Sequence, residues 1–497
     1  MLDLDVRRPQ RVGALTAPAT SEPTAFTGRR PRRPWEVDRT ETAGIDPVPP
    51  GSRYGRPGRL FAVWLSGDLE ISAVAIGVVG PLVFGLSFTQ TAVALVLGIT
   101  AGAAPVAWLN TWGPKTGTAQ ITLARIPFGK SVLAPGTIQW ASAIGWVAIG
   151  ALFGAQAAHL LFHVPFAVAA VIVIGCTMAI SIVGYEAAVS AQKIAAWLMP
   201  VLFAILTWRI FSHHLTLAHA TAHGGAAVGG FIAMVTVAAS GAFSWASYGS
   251  DYSRYLPENA SPRRVFWAAL GGLVIAYVWL AGIGAVAASV LANQTAAGIR
   301  DVAGGGGWGE LALVMIVLAA IVSSALNDYS GGLALQSVEI RVKRPLLSLV
   351  AGLAAFGLVM WMNAGASTSA RFTNVLLLTG YWCAPFLAVI AIDWRDHKRR
   401  YRPGYVRAAM EWPVLRSGWP ALTAFACGCG SMLLFMDTSL LVGPVARAWD
   451  GADIAYPAGF AVTAVLYWWL RRYNPPLPGP VTADAAGPAV TAEGPRR

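Results

Sequence analysis

The chain has 497 residues, of which 56% are hydrophobic and 12% are charged, and its formal net charge is +12. Soluble domains carry about 25% charged residues, so this composition excludes a soluble globular protein and predicts an integral membrane protein. The positive charge could indicate nucleic-acid binding, but the basic residues are confined to the gaps between apolar runs. We therefore interpret the charge as a signal of membrane topology and expect no nucleic-acid partner.

Residues 1–59 are rich in Arg and Pro and lack the pattern of a signal peptide, which predicts a disordered cytoplasmic tail. After this tail, twelve apolar runs are each long enough to cross a bilayer as a helix. These runs are residues 61–86, 89–110, 132–162, 165–184, 190–211, 226–249, 264–292, 308–336, 345–363, 372–394, 418–441 and 452–470. Runs such as 170–183 are apolar on both strand faces, which argues against a β-barrel. The predicted fold class is an all-α integral membrane protein with 12 transmembrane helices.

The basic residues also predict the orientation. With the amino terminus in the cytoplasm, all but four of the 36 Lys and Arg residues fall in cytoplasmic segments, as the positive-inside rule requires. The predicted organisation is a cytoplasmic tail (1–59), a ten-helix transporter core (60–394), a cytoplasmic loop (395–417), two accessory helices (418–470) and a cytoplasmic tail (471–497). Both termini are then cytoplasmic. Arg outnumbers Lys 31 to 5, a bias typical of GC-rich bacterial genomes, so we expect a multi-pass protein of the bacterial inner membrane.

Ionisable side chains at membrane depth are costly and by default mark a substrate or ion path. The first span carries Asp68 and Glu70 among glycines, the sixth has small polar residues around Trp245, and the eighth has the polar stretch 323–332. Spans 1 and 6 occupy corresponding places in two five-helix halves, about 60–211 and 226–394. Helices broken at matching positions of inverted repeats indicate a binding site at the bilayer midplane. The alternative is that Gly and Ser merely allow close helix packing.

Several motifs follow one another in order between about residues 55 and 445. They include Gly-Val-Val-Gly-Pro-Leu-Val-Phe-Gly-Leu at 77–86, Trp-Gly-Pro-Lys-Thr-Gly at 112–117, Leu-Ala-Arg-Ile-Pro-Phe-Gly at 123–129, Ser-Asp-Tyr-Ser-Arg-Tyr-Leu-Pro at 250–257 and Asn-Asp-Tyr-Ser at 327–330. In these motifs the chain resembles the nucleobase:cation symporter-1 family, and within it the purine-cytosine permease branch. The resemblance implies a five-plus-five inverted repeat with broken helices 1 and 6, alternating access, and uptake of a nucleobase or related heterocycle driven by a proton or sodium gradient.

The resemblance also implies a substrate site. Trp146 and Trp245 match two tryptophans that sandwich the planar ring in relatives, and such stacking contributes about 1–3 kcal/mol per base. Asn327 matches the amide that contacts the base, and Ser72 matches a serine close to the substrate. Without the resemblance, either Trp could equally face lipid or fill the core.

Two positions depart from the family pattern. Ser323 stands where fungal purine-cytosine permeases carry a second Asn, and Gly150 stands where relatives commonly have Gln or Asn. Two amides replaced by Ser and Gly predict a roomier pocket with fewer hydrogen bonds. The resemblance implies a purine or cytosine as the substrate, whereas these two departures argue against strict cytosine specificity and favour the alternative, a hydantoin-like or vitamin-like ring.

The coupling ion is expected to be a proton. In sodium-coupled relatives, hydroxyls on span 8 complete an oxygen shell, whereas this chain has Ile321 and Val322 at those positions, and aliphatic side chains cannot ligate a hard cation. A small shift in alignment would bring Ser324 or Ser323 into that shell. Glu70 or Asp68 is the predicted proton carrier, since a carboxyl at low dielectric can bind and release protons near neutrality. The alternative is that these carboxyls cap the broken helix or line the cytoplasmic vestibule.

Together these features predict a secondary active transporter, not an enzyme, with a planar heterocycle and the lipid bilayer as partners. No cofactor beyond the coupling ion, no metal and no obligatory protein partner are expected. A membrane-embedded enzyme would need a catalytic cluster, and no His or Cys pairs with a carboxylate within a predicted cavity. A channel would predict a polar ring from repeated subunits. The loop 213–223 holds His219 and His223 four residues apart, which could bind a metal if helical, although a solvated loop is the simpler interpretation.

Overall fold

The structure is a computed structural model that describes residues 45–473, except residues 184, 213–215, 290, 292–295, 341, 366–367, 397–400, 402–405, 408 and 410. The predicted tail 1–59 thus lies outside the described residues as far as residue 44, and the predicted tail 471–497 lies outside them from residue 474. Parts of the predicted cytoplasmic loop 395–417 and of the histidine loop 213–223 also lie outside them.

Within the described residues the regular secondary structure is all helical, apart from an isolated antiparallel bridge between Asp437 and Val442. The α-helices are α1 (Gly58–Gly67), α2 (Ile71–Phe84), α3 (Phe88–Asn110), α4 (Gly113–Thr116), α5 (Gln120–Phe128), α6 (Leu133–Phe162), α7 (Phe166–Val183), α8 (Tyr185–Phe211), α9 (Gly224–Phe243), α10 (Pro262–Ala287), α11 (Ala296–Val302), α12 (Gly306–Ser337), α13 (Arg344–Asn363), α14 (Thr368–Tyr381), α15 (Cys383–Asp396), α16 (Trp419–Met432), α17 (Pro444–Ala448) and α18 (Ala455–Leu470). Short 3-10 helices cover Pro50–Ser52, Gly129–Val132, Ser244–Tyr248, Ser253–Tyr255, Trp412–Val414 and Arg471–Tyr473.

Each of the twelve predicted runs overlaps at least one of these helices, and the predicted all-α class is confirmed. Among the described residues, 7 helices are long and apolar enough to cross a membrane, and the bent pair α1 and α2 brings the number to 8. Shorter apolar helices cover Phe166–Ile182 and Trp197–Phe211. The count of twelve spans stays a prediction, with which this arrangement is consistent.

Both predicted helix breaks are present. The first span divides into α1 and α2, whose axes differ by 64° across residues 68–70. In the sixth span α9 ends at Phe243 and continues as the 3-10 helix Ser244–Tyr248. The hydroxyl of Ser244 donates to the carbonyl of Gly241 at 2.9 Å, a local bond that competes with regular helix geometry.

The helices pack as two units, one that contains the broken helices and one that consists of continuous helices. In the broken-helix unit, α10 packs against α1, α2 and α3, and α9 packs against α2 and α3. In the continuous-helix unit, α6, α7, α12 and α13 contact one another, with the most extensive packing between α6 and α12. The two units correspond to spans 1, 2, 6 and 7 and to spans 3, 4, 8 and 9.

Backbones touch where α2 crosses α10. A Cβ atom on Gly77 would lie 1.8 Å from the carbonyl oxygen of Ala281, and a Cβ on Gly284 would lie 2.0 Å from that of Val74. Small residues that let helix backbones approach are the usual device of membrane helix packing. This contact holds the second half of the broken span against α10.

The segment between spans 2 and 3 differs from the expected cytoplasmic loop, because it contains α5. All nine residues of α5 are buried, including Arg125. The Nε of Arg125 donates to the carbonyl of Ser337 at 2.7 Å, and its Nη2 lies 3.3 Å from the Glu339 carboxylate. In the sequence this segment is a gap between two apolar runs, whereas the ion pair and the backbone contact accommodate the arginine inside the protein.

Two other runs are shorter or less regular than predicted. The run 372–394 divides at Trp382 into α14 and α15, and Pro385 in the first turn of α15 explains the division, since proline has no N–H to donate back to Tyr381. The run 418–441 forms a helix only as far as Met432. Its remainder forms turns and the Asp437 to Val442 bridge.

Candidate functional site

Glu70 lies at the amino terminus of α2, where the break leaves helix N–H groups without intrahelical acceptors. Its backbone is extended (φ −137°, ψ 162°), which ends the preceding turn and starts α2 at Ile71. The hydroxyl of Ser72 donates to Glu70 Oε1 at 2.5 Å. Ser323 of α12 also hydrogen-bonds to the Glu70 side chain. One carboxyl therefore touches both the broken-helix unit and the continuous-helix unit.

Asp68 lies at the other side of the same break, at the carboxyl end of α1. Its Oδ1 accepts a hydrogen bond from the indole Nε1 of Trp245 at 2.8 Å. Its Oδ2 is buried, and Tyr277 of α10 is a second hydrogen-bonding neighbour of the Asp68 side chain. The side chain thus links the break in span 1 directly to the 3-10 segment of span 6.

Aromatic side chains surround Trp245. Its ring packs edge-on against Trp64 at a centroid distance of 5.5 Å and against Tyr248 at 5.3 Å. The Nε1 of Trp64 in turn donates to Asn110 Oδ1 at 3.1 Å. Such edge contacts and the bond to Asp68 fix the orientation of the Trp245 ring. Sequence reasoning assigned no role to Trp64, although its position four residues before Asp68 places both on one face of a helix.

The continuous-helix unit supplies the other predicted substrate residues. Trp146 on α6 is 6% exposed, and Asn327 on α12 is 3% exposed. Asn327 Nδ2 donates to the carbonyl of Ser323 at 3.3 Å, so these two side chains lie one turn apart on α12. The amide of Asn327 keeps its carbonyl oxygen as an acceptor for a ligand. The roles predicted for Trp146, Trp245, Asn327, Ser72 and Ser323 in substrate binding stay predictions.

Gly150 and Ser324 meet where α6 packs on α12. A Cβ on Gly150 would lie 2.4 Å from Ser324 Oγ. That hydroxyl is buried and has no hydrogen-bond partner among the described residues. A larger side chain at position 150 would require Ser324 to move, so the geometry favours a packing role for Gly150. The assignments of Gly150 to substrate and of Ser324 to a coupling ion stay predictions.

The histidine loop is not helical where the structure describes it. Residues 216–223 have no regular structure, so His219 and His223 lack the one-turn spacing that would pair them on a helix. His223 precedes the first residue of α9. Among the described residues, no three His, Cys, Asp or Glu side chains form a group that could hold a metal ion.

Two breaks at matching places, with carboxyls and an indole at their ends, define a class of membrane protein: the secondary transporters built from inverted repeats. The family described as permease for cytosine/purines, uracil, thiamine, allantoin matches residues 47–459. The chain belongs to this family of nucleobase:cation symporters. It is therefore a multi-pass membrane transporter and not an enzyme.

Individual relatives agree with this assignment. The purine-cytosine permease fcyB of Emericella nidulans is 26% identical over 458 residues, covering 87% of this chain and 89% of the relative. The putative purine-cytosine permease YxlA of Bacillus subtilis is 23% identical, covering 87% of this chain and 96% of the relative. The solved structure of Mhp1, a nucleobase-cation-symport-1 family transporter, in a closed conformation with bromovinylhydantoin bound, superposes with a TM-score of 0.67 at 18% identity, covering 89% of this chain and 97% of that one. This similarity confirms the fold.

Proposed function

We propose that the protein imports a purine, cytosine or a similar planar heterocycle by symport with a proton. Trp146 and Trp245 hold the ring, Asn327 reads its edge with help from Ser72 and Ser323, and Glu70 binds the proton. The family description and the purine-cytosine permeases among the relatives support the substrate class. The basic residues of the sequence support placement in the bacterial inner membrane with both termini in the cytoplasm.

The observation that carries the proposal is the position of Glu70. Its carboxyl hydrogen-bonds to Ser72 on α2 and to Ser323 on α12, one turn from Asn327. A change in its protonation state alters contacts with both units at the place where the substrate edge is read. Proton binding and substrate binding are thereby coupled through shared hydroxyls.

Two features favour a proton over sodium as the coupling ion. Ile321 and Val322 offer no oxygen where a sodium site would need side-chain hydroxyls. Ser324, which could have supplied one, lies with its Oγ against Gly150 on α6. A carboxyl needs only access to water to exchange a proton, so Glu70 is sufficient as the proton carrier. Asp68 instead accepts the hydrogen bond from Trp245 and orients its ring.

A second substrate class is favoured by the packing of Gly150. Since the space beside Gly150 is taken by Ser324, an amide side chain at this position has no room without a shift of Ser324. The site then offers fewer hydrogen bonds to a base edge, which suits a hydantoin-like or vitamin-like ring. The family description includes allantoin and thiamine.

A thermal-shift screen of the purified protein tests the substrate. Purines, cytosine, hydantoins, vitamin rings and nucleosides are added at pH 6 and pH 8, with sodium or with choline as the cation. A ligand at 100 times its dissociation constant adds about 2.7 kcal/mol to the free energy of unfolding. Stabilisation by a purine or cytosine without sodium is the expected result. Stabilisation only by a hydantoin or vitamin ring supports the second class, and strict dependence on sodium contradicts proton coupling.

A further inference from the structure

Tyr277 lies on α10, the helix that packs against both halves of the broken first span. Its side chain is buried, and its hydroxyl donates to the carbonyl of Gly241 at 3.0 Å. Gly241 precedes Trp245 by four residues, close to the point where α9 gives way to the 3-10 helix Ser244–Tyr248. A side chain of the seventh span therefore binds the backbone of the sixth span at its break.

The same hydroxyl lies beside the break in the first span. It is a hydrogen-bonding neighbour of the Asp68 carboxyl and of the Trp245 indole. That carboxyl in turn accepts from the indole Nε1 at 2.8 Å. Asp68 and Trp245 are both buried, so water competes little for these bonds. Polar atoms from spans 1, 6 and 7 thus meet at one buried point.

The ring of Tyr277 is confined as closely as its hydroxyl. A Cβ on Gly241 would lie 3.0 Å from Tyr277 Cε1 and 3.0 Å from Ile76 Cδ1. The glycine therefore lets α9 approach both the phenol ring and α2. Because these groups are in close contact, the ring holds its hydroxyl at the break with little freedom to move aside.

These contacts distinguish the hydroxyl of Tyr277 from its ring. A side chain that only filled the space between α9 and α10 would need the ring, and phenylalanine would serve as well. A buried hydroxyl is costly unless it is hydrogen-bonded, and this one lies among the Gly241 carbonyl, the Asp68 carboxyl and the indole. Its position indicates a role for the oxygen itself.

We propose that Tyr277 is a positioning residue of the substrate site. Its hydroxyl holds the break in span 6 against the break in span 1, and it thereby keeps the Trp245 ring at the angle at which it stacks on the ligand. The link between the two breaks follows from the contacts of Tyr277 alone. Its effect on ligand affinity rests on the proposed stacking by Trp245.

Tyr277→Phe tests the hydroxyl, because it keeps the ring and removes one oxygen. Adenine and cytosine are the probes, and calorimetric titration of the purified full-length protein gives their affinities. The affinity for each probe that the wild-type protein binds should fall about three- to tenfold, as for the loss of one buried hydrogen bond. The factor should be similar for both probes, since stacking tolerates different rings.

A Trp245→Ala background shows whether the hydroxyl acts through the indole. In that background Tyr277→Phe should cause no further loss of affinity, because the ring that it positions is absent. A tyrosine with a merely structural role would cause the same loss with or without Trp245. An equal loss in both backgrounds would therefore overturn the proposal.

Hydrogen exchange of the backbone amides tests the link between the breaks without a ligand. Tyr277→Phe should raise exchange in the peptide that covers residues 241–250 about three- to tenfold. Tyr467→Phe is the matched control, since it also removes a buried hydroxyl, which donates to Asp393 Oδ1 at 3.2 Å. The control should leave the exchange of residues 241–250 unchanged.

Gly241→Ala provides a second variant if Tyr277→Phe fails to fold. Its methyl group presses on the ring of Tyr277, so it should raise the same exchange and lower the same affinity. Exchange of residues 241–250 that stays at the wild-type level in both variants would overturn the proposal.

The two measurements separate this proposal from that of the substrate. If neither probe binds to the wild-type protein while exchange rises in Tyr277→Phe, the substrate proposal fails and the link between the breaks stands. If a probe binds and its affinity is unchanged in Tyr277→Phe, the positioning role fails and the substrate proposal stands.

Discussion

The two helical units place their polar groups in different ways. In the broken-helix unit, Asp68, Glu70 and Trp245 lie at the ends of interrupted helices, next to backbone groups that regular helices would consume. In the continuous-helix unit, Trp146 and Asn327 lie on the faces of unbroken helices. The first unit therefore presents free backbone groups beside its polar side chains, whereas the second presents side chains alone.

The two units also differ in how closely their helices pack. The second half of the broken span is pressed backbone to backbone against α10 through Gly77 and Gly284. On the other side, α6 meets α12 through the side chain of Ser324 at Gly150. Backbone contact fixes the position of the break itself, which suggests that movement occurs between the units. Glu70 is the carboxyl that bonds to both.

The largest effect is expected from Glu70→Gln, which removes the proton carrier while keeping the size of the side chain. Uptake driven by a pH gradient should fall to background in proteoliposomes, and exchange of labelled for unlabelled substrate should continue, because the amide mimics the protonated acid. Glu310→Gln is the control, since Glu310 is exposed near the start of α12. Gradient-driven uptake that survives in Glu70→Gln would assign the proton to another group.

Gly284→Ala should break the backbone contact between α2 and α10. The added methyl group would lie 2.0 Å from the Val74 carbonyl oxygen, so we expect a loss of about 1–3 kcal/mol in the free energy of unfolding. Gly282→Ala on the same helix meets nothing within 4 Å and should be neutral or slightly stabilising. Thermal unfolding of the two variants in detergent measures the difference. Equal stabilities would mean that this crossing is looser than the structure shows.

Trp146→Ala and Trp245→Ala remove one stacking ring from each unit. Each should weaken substrate binding at least about tenfold, because a stacked base contributes about 1–3 kcal/mol. Trp267→Ala is the control, since that side chain is 66% exposed on α10. Calorimetric titration of the three variants gives the affinities. Unchanged affinity in both site variants would exclude ring stacking by these residues.

A smaller effect is expected at Asp68, which acts on the substrate through Trp245. Asp68→Ala removes the acceptor of the indole N–H and should lower affinity about two- to tenfold, as for the loss of one hydrogen bond. Asp68→Asn keeps an acceptor oxygen and should retain most of the wild-type affinity. The double variant of Asp68→Ala and Trp245→Ala completes a double-mutant cycle. If its loss of binding free energy equals the sum of the losses in the two single variants, Asp68 acts independently of the indole.

Much of the fold could be predicted from the sequence, because long apolar runs and the distribution of basic residues directly reflect the bilayer. The break at Asp68 and Glu70 was also predictable, since charged residues and glycines interrupted an apolar run. The buried helix α5 was missed, because the partners that accommodate Arg125 lie more than 200 residues away in sequence. The division at Trp382 was missed although Pro385 marked it.

The candidate site was predicted unevenly. The grouping of Ser323 with Asn327 was predicted from helical spacing, whereas the hydrogen bond between Ser72 and Glu70 was not, although the two residues are close in sequence. The bond between Asp68 and Trp245 joins residues 177 positions apart, and no pattern in a single sequence reports such a contact. Gly150 was interpreted as extra space because a missing side chain gives no indication of what fills its place, which here is Ser324.

The most direct test of the central claim is proton movement coupled to substrate. Purified protein is reconstituted into vesicles that contain a pH-sensitive dye and no sodium, and a purine or cytosine is added outside. The account predicts acidification of the vesicle interior in step with uptake of the labelled base, absent in Glu70→Gln and present in Glu310→Gln. Uptake that needs sodium, or that proceeds without any movement of protons, would contradict it.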